Sequence, residues 1–310
     1  MGEKIIRPVN HTEVVQKIKE LAIISLFYDD ELMNTFVLKG GNALNIAHKI
    51  NERASVDIDV SMEDDFAEGT LAEIKAKLQH AFEVTFQEED YHVFDLNLEP
   101  SPARMKDEMK KFWGGYTLYF KVIEKEKFEQ YQDNLQKLRQ NSIVVGSNQL
   151  KTFQIDISKY EFCKAKAPFR LNGYVIYAYT PLMVIYEKLR AICQQMESYR
   201  DLVLTNRRPR TRDFFDIHSI MTKWPDPIDV TAPDNLQILS EIFTLKKVPL
   251  DFLANIQGER EFHRENFQAV LDTVNAETKK GTYDFYFDYV ERLAKNIYEA
   301  LQEQNLLTTN

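Results

Sequence analysis

The stretch FVLKGGNALNIAHKINERASVDIDVSM, residues 36–62, joins a glycine pair to an alternating run of apolar and acidic residues. Successive side chains of a β-strand point to opposite faces. The run VDIDV at residues 56–60 therefore predicts a strand with an apolar face and with Asp57 and Asp59 side by side on the other face. Neighbouring carboxylates repel each other, which predicts a positive charge close to them.

The glycine pair, Gly40 and Gly41, is followed by Asn42 at the start of a predicted helix. Glycines let a backbone approach a ligand closely, and the free amides of a helix N-terminus favour phosphate. A plain turn between a strand and a helix needs the same glycines, so both interpretations stay open. The Gly-Lys-Ser/Thr of a P-loop does not follow, which excludes that class.

The composition is that of a globular protein, with 310 residues, 44% hydrophobic, 28% charged and a net charge of −9. The length allows one large domain or two ordinary ones. The acidic balance argues against nonspecific coating of nucleic acid but permits a local basic groove. The two cysteines, Cys163 and Cys193, match no metal or redox spacing, and we interpret them as reduced core thiols of a cytoplasmic protein without a membrane segment.

The order of predicted elements indicates an α+β fold. Residues 12–28 and the stretches NALNIAHKI and TLAEIKAKLQHAF have helical periodicity, whereas TFVLKGG, VDIDV, FEVTF, YHVFDLNL, YTLYFKVIE and FQIDIS are typical of strands. From Pro181 onward every periodic stretch is helical, including REFHRENFQAVLDTVNAET. We place the boundary between a core at residues 1–176 and a helical domain at residues 177–310.

A third acidic residue, Asp156 in FQIDIS, faces away from Ile155 and Ile157 in the predicted strand. On a strand next to VDIDV it would add a third carboxylate to Asp57 and Asp59. Mg²⁺ takes oxygen ligands, and neighbouring carboxylates that face substrate phosphates supply them, which predicts a two-metal site. The solvated face of an edge strand would show the same alternation, so the acidic pair alone does not decide between the two interpretations.

Two helices of the second half carry charges on apolar faces. Lys188 shares a stripe with Val184 and Ile185, so its ammonium either extends to solvent or meets a phosphate. On the other helix, Asp213 and Asp216 fall on one face. Together with Arg212 they would form either a structural clamp or a support for Lys188.

Taken together, five short motifs resemble the nucleotidyltransferase toxins of the abortive-infection AbiEii/AbiGii type, within the DNA-polymerase-β-like superfamily. In chain order they are KGGNAL at residues 39–44, RASVDID at 53–59, FQIDIS, EKLRA at 187–191 and RDFFD at 212–216. The resemblance implies a polymerase-β-like core with a mixed sheet and flanking helices, followed by an all-helical C-terminal domain.

The resemblance also implies an activity: Mg²⁺-dependent transfer of a nucleotide from an NTP to an acceptor such as the end of a tRNA, with release of pyrophosphate. It further implies a cognate antitoxin encoded nearby. The implied residues are Asp57, Asp59 and Asp156 for the metal, Lys188 for catalysis, Arg212, Asp213 and Asp216 in support, and Lys39, Gly40, Gly41, Asn42, Arg53 and Ser55 for the nucleotide phosphates. Asn42 stands where relatives carry Ser or Thr, which puts that hydroxyl chemistry in doubt.

Two other classes of protein remain possible at the level of sequence. An antibiotic-type nucleotidyltransferase would use the same carboxylates on a compact acceptor, whereas a binding protein with a decayed site would have lost some of them. The basic stretch RRPRTR at residues 207–212 favours an RNA acceptor. The presence of all three carboxylates and of Lys188 argues against decay.

Overall fold

The computed structural model describes residues 11–50, 57–145, 149–203, 206–274, 278 and 280–307. Two of the predicted phosphate-binding residues, Arg53 and Ser55, lie outside these ranges. None of the helices in the described part of the chain is long and apolar enough to cross a membrane.

In the described part of the chain, seven strands and seven α-helices lie at or before Cys193. The strands are β1 (Val37–Lys39), β2 (Ile58–Ser61), β3 (Tyr91–Ser101), β4 (Gly115–Glu124), β5 (Phe153–Ser158), β6 (Ala167–Leu171) and β7 (Tyr174–Ala178). The helices are α1 (His11–Ser25), α2 (Asp30–Thr35), α3 (Gly40–Asn42), α4 (Leu71–Gln87), α5 (Lys125–Tyr131), α6 (Leu135–Asn141) and α7 (Pro181–Cys193). A π-helix (Ala43–Ala47) continues α3, and a 3₁₀ turn (Met109–Lys111) precedes β4.

The remaining elements are all helices. They are α8 (Thr211–Lys223), α9 (Pro233–Leu245), α10 (Arg260–Arg264), α11 (Phe267–Leu271) and α12 (Tyr283–Glu303), with 3₁₀ segments at Glu197–Asp201 and Leu250–Glu259. The mixed helix–strand first half and the helical C-terminal half are both as the sequence predicts. Pro181 at the first turn of α7 and the Thr180 side chain, which accepts from the Met183 amide, mark the start of this half.

All seven strands form one mixed sheet in the order β3-β4-β5-β2-β1-β7-β6. The central strands β2 and β5 are parallel, whereas β1 pairs antiparallel with β2 and parallel with β7. The predicted boundary between residues 176 and 177 falls inside β7. The division into two domains stays a prediction.

One apolar core lies between the sheet and helices α1 and α4. Ile58 and Val60 of β2 pack in it together with Ile155 and Ile157 of β5. Because side chains alternate along a strand, the intervening Asp59 and Asp156 occupy the opposite face of the sheet. A second cluster is built mainly from α7, α8, α9 and α12, and it contains both cysteines, which are free and buried.

Two predicted elements differ from the structure. FEVTF, predicted as a strand, is the last part of α4. Phe82 and Phe86 lie one turn apart on that helix and both contact Phe120, so burial of a helical face decides the outcome. REFHRENFQAVLDTVNAET is not one helix, because Asn266 adopts a left-handed φ of 64° between α10 and α11.

Candidate active site

Asp59 and Asp156 are direct neighbours across the two central parallel strands. Their Cα atoms are register partners, flanked by the core pairs Ile58–Ile155 and Val60–Ile157. The prediction that FQIDIS lies next to VDIDV is therefore confirmed. Two hydrogen bonds hold the Asp156 carboxylate in place. Thr117 Oγ1 and Gln154 Nε2 donate to its Oδ1, at 3.1 and 2.8 Å.

Asp57 lies just before β2 and is exposed. Its backbone carbonyl accepts a hydrogen bond from the side-chain amide of Asn42, whose own side chain is buried. This contact ties α3 to the start of β2, and the predicted phosphate contact of Asn42 stays a prediction.

The glycine at position 40 is in close contact with Asp59. Gly40 has a left-handed φ of 65°, and a β-carbon there would lie 2.7 Å from Oδ2 of Asp59. The turn from β1 into α3 therefore brings bare backbone against this carboxylate. Gly41 follows as a buried residue of the same short helix.

Asp59 is held in an environment that disfavours its charge. Burial raises its pKa to about 6, the ammonium of Lys39 opposes this, and the carboxylates of Glu187, Asp156 and Asp57 add to the rise. Lys39 is the positive charge that the alternating aspartates predict. A divalent cation at this position would relieve the remaining repulsion.

Lys39 itself is buried in a charged cluster that sequence reasoning did not find. Its ammonium lies 3.1 Å from Ser158 Oγ, 3.7 Å from Glu161 and 4.0 Å from Glu187. Glu161 in turn lies 2.7 Å from Arg190 and 3.4 Å from Lys246. Burial alone would raise the pKa of Glu161, but these cations hold it well below its usual range.

The members of this cluster come from four separate regions of the chain, so local periodicity gives no signal for Glu161 or Lys246. Arg190 could have been noticed, because it follows Glu187 by one helical turn and pairs with it at 3.5 Å. Lys246 also donates to the backbone carbonyls of Phe112 and Lys159, at 3.3 and 2.6 Å. It thereby joins the end of α9 to the sheet.

Lys188 is buried, with 5% of its surface exposed, so the interpretation in which it extends to solvent is wrong. Its ammonium lies 2.8 Å from Asp213 and 2.8 Å from Asp216. The two aspartates therefore both pair with Lys188, which fits a structural clamp as well as a support for this lysine. The other cation on Asp213 is Arg210, at 2.6 Å, and not the predicted Arg212, which is exposed because it points away from this buried face of α8.

Two adjoining cavities meet at these residues. The smaller one, about 610 Å³, is lined by Gly40, Gly41, Asp57, Asp59 and Lys188. The larger one, about 700 Å³, contains Asp156 in its wall. Both are lined by Lys39, Glu187, Arg208 and Arg210.

The donor chemistry at the junction fits Mg²⁺, because Asp57, Asp59 and Asp156 offer oxygen ligands, and burial together with the neighbouring carboxylates raises the pKa of Asp59. The predicted convergence on one ion is absent, however. Within the ranges given above, no three His, Cys, Asp or Glu side chains lie close enough together to hold a metal ion.

The class of protein follows from comparison with known families. The sequence profile described as "Nucleotidyl transferase AbiEii toxin, Type IV TA system" matches residues 24–300. The chain belongs to this family. It is therefore an enzyme of the nucleotidyltransferase type, and its family implies an NTP substrate and a cognate antitoxin.

Three solved structures are similar to this chain over most of its length. A candidate nucleotidyltransferase from H. pylori has 12% identity and a TM-score of 0.49, and covers 96% of this chain and 99% of its own. JHP933 from Helicobacter pylori has 16% identity and a TM-score of 0.49, covering 94% and 95%. An antigenic nucleotidyltransferase-like protein from Paracoccidioides brasiliensis has 12% identity and a TM-score of 0.34, covering 85% and 92%. Among curated proteins no sequence matches significantly.

Proposed function

We propose that this enzyme transfers a nucleoside monophosphate from an NTP to an RNA acceptor, with tRNA as the first candidate, in a Mg²⁺-dependent reaction that releases pyrophosphate. The observation that carries the proposal is the register pairing of Asp59 with Asp156 where two cavities meet. Transfer joins two substrates at one phosphorus atom, so it needs two binding spaces that share one group of carboxylates.

The triphosphate is assigned to the smaller cavity. Gly40 and Gly41 line it with bare backbone, and Lys39 and Lys188 line it with positive charge. Backbone without side chains allows close approach of phosphate oxygens, and clustered cations stabilise the charge that develops on the leaving pyrophosphate. Lys188 is held in place by Asp213 and Asp216, so its ammonium is positioned before substrate binds.

Asp57, Asp59 and Asp156 are the residues that would hold Mg²⁺, which supplies neutralisation of the triphosphate and polarisation of the phosphoryl group when bound. The role of the chain itself is to orient these carboxylates. Thr117 and Gln154 orient Asp156 by donating to its Oδ1, and the missing side chain at Gly40 leaves room for Asp59.

An RNA acceptor is favoured by the arginines that precede and open α8. Arg207 forms ion pairs with Glu197 and Glu259, and Arg210 forms one with Asp213. Arg208 and Arg212, in contrast, are exposed, line the cavities and form no ion pair with any residue that the structure describes. Exposed guanidinium groups bind backbone phosphates, which a compact antibiotic lacks. Modification of tRNA would stop translation, and the cognate antitoxin would prevent this.

The direct test incubates the purified chain with each α-labelled NTP, total tRNA and Mg²⁺. We expect label in tRNA with at least one NTP, no label after chelation with EDTA, and no label with Asp59→Asn. A parallel reaction replaces tRNA with an aminoglycoside mixture. Label in the antibiotic alone, or incorporation that survives EDTA, would contradict the proposal.

A further inference from the structure

The larger cavity has a lining that differs in kind from that of the smaller one. Four aromatic side chains line it, those of Trp113, Tyr116, Tyr119 and Tyr199, together with amides that include Gln154 and Gln194. The smaller cavity contains no aromatic side chain from the described residues and is lined mainly by charged groups and glycine. Aromatic rings and amides are the groups that bind nucleobases, by stacking and by edge hydrogen bonds.

The position of Trp113 makes it the principal ring of this cavity. Gly114, with a left-handed φ of 100°, turns the chain into β4, and Gly115 packs against the carbonyl of Ile157 so closely that a side chain there would collide. The two glycines line the cavity beside Trp113 and take up no space in it. Thr117 follows on β4 and donates a hydrogen bond to Asp156 on the neighbouring strand β5. The indole ring therefore lies close in sequence to a residue that contacts this carboxylate.

The indole is held from within the protein but keeps part of its surface open. Lys246 Nζ lies 5.5 Å from the Trp113 ring centroid, and the Tyr199 ring lies 6.5 Å away. Trp113 itself is only half-buried. Lys246 is in turn fixed by Glu161 and by two backbone carbonyls, so the ring is supported by the charged cluster beneath the active site.

We propose that the larger cavity binds the terminal nucleobase of the RNA acceptor, stacked on Trp113, which places the acceptor hydroxyl toward Asp156. The inference rests on the proposed function and adds a base-binding site to it. Its volume of about 700 Å³ is within the range of ordinary ligand sites, which is about 300–1,000 Å³. The proposed function places the triphosphate against Gly40, Gly41 and Lys188 of the smaller cavity, so the base in the larger one belongs to the acceptor and not to the NTP.

Tryptophan fluorescence can test this directly, because the chain has only 2 tryptophans. Trp224 packs against His48, with ring centroids 5.3 Å apart, and lines neither cavity. Trp224→Phe leaves Trp113 as the single emitter. We expect the trinucleotide CCA, added without NTP, to quench this emission in a saturable manner. Quenching by an NTP but not by CCA, or no quenching by CCA, would overturn the proposal.

Kinetics give a second readout that does not depend on fluorescence. Trp113→Ala should raise the KM for tRNA about tenfold and leave the KM for NTP unchanged, since stacking on one base gives a factor of that order. Trp113→Phe keeps a ring and should recover most of the loss, and an unchanged melting temperature and KM for NTP in Trp113→Ala would exclude a defect of folding. If the wild type labels tRNA and Trp113→Ala keeps the wild-type KM for tRNA, the base site is wrong while the transfer function stands. If the wild type labels no RNA, the transfer function itself fails.

Discussion

Gly40 and Asp59 are in such close contact that a β-carbon on the glycine would lie 2.7 Å from Oδ2 of the aspartate. The glycine also has a φ of 65°, which other residues rarely adopt. A larger residue at position 40 is therefore disfavoured twice, by the strained φ and because the Asp59 carboxylate would have to shift. The contact links the turn after β1 to the proposed metal-binding face.

The first prediction concerns Gly40→Ala. The new methyl group should displace the Asp59 carboxylate and reduce nucleotide transfer by at least about tenfold, while the left-handed backbone costs about 1–2 kcal/mol of unfolding free energy. Gly173→Ala is the matched control, because Gly173 has a φ of 92° and nothing within 4 Å of its added β-carbon. That variant should lose similar stability and no activity. Full activity in Gly40→Ala would show that the contact is irrelevant to catalysis.

The two register partners should matter for activity and not for folding. We expect Asp59→Asn and Asp156→Asn each to reduce transfer by about a hundredfold or more, because an electrostatic contact made at the reacting phosphate is lost. Removing a charge from Asp59 should leave the melting temperature unchanged or higher, since burial and the neighbouring carboxylates already raise its pKa. Asp95→Asn, which breaks an ion pair with Arg139, is the control that should keep activity. A large fall in melting temperature would identify Asp59 as a structural residue.

Lys188 combines a stability role with the proposed phosphate contact. Lys188→Met leaves the buried Asp213 and Asp216 without its ammonium, so the free energy of unfolding in urea should fall by about 3–5 kcal/mol. Adding Asp216→Asn removes one of these two buried negative charges, while Asp213 keeps its ion pair with Arg210 at 2.6 Å, and should restore part of that loss. Transfer activity should stay low in this restored variant. Recovery of activity together with stability would assign Lys188 a structural role alone.

Arg208 should contribute to RNA binding through charge. It lines both cavities and is exposed, so Arg208→Ala should weaken binding of tRNA and lower the slope of log affinity against log salt by about 1. Arg200→Ala is the matched control, since Arg200 is an exposed arginine paired with Glu197 at 2.6 Å and lines neither cavity. Equal salt slopes for the wild type and Arg208→Ala would contradict the contact.

His263 predicts a pH dependence of stability. Burial lowers its pKa to about 4 from 6.5, and its Nδ1 accepts the Arg210 amide at 3.0 Å. The unfolded chain therefore binds a proton between about pH 6.5 and pH 4 that the folded chain does not. Stability should fall across this window as the pH falls, by about 3 kcal/mol. His263→Gln keeps an acceptor and does not titrate, so its unfolding free energy should change less than that of the wild type over the same window. Parallel curves would contradict the assignment.

Much of the site could be predicted from the sequence because it depends on local alternation. VDIDV and FQIDIS place apolar residues on one face and aspartates on the other, and this pattern survives in β2 and β5 because the apolar face packs in the core. The glycine pair and the helical second half are also local features. FEVTF shows where local pattern fails, since a five-residue apolar alternation fits the end of a helix as well as a strand.

What the sequence by itself determined is the set of reactive residue types and their order, together with the strands that carry the aspartates. Only the tertiary structure decided which charges meet. Lys188 pairs with Asp213 and Asp216 because α7 packs against α8. Asp213 pairs with Arg210, which lies one helical turn before it, and not with the expected Arg212. Glu161 gathers Lys39, Arg190 and Lys246 from distant parts of the chain. Buried charges require partners of opposite charge. Which partners they find depends on how the helices and strands pack together, and the periodicity within one element does not encode that packing.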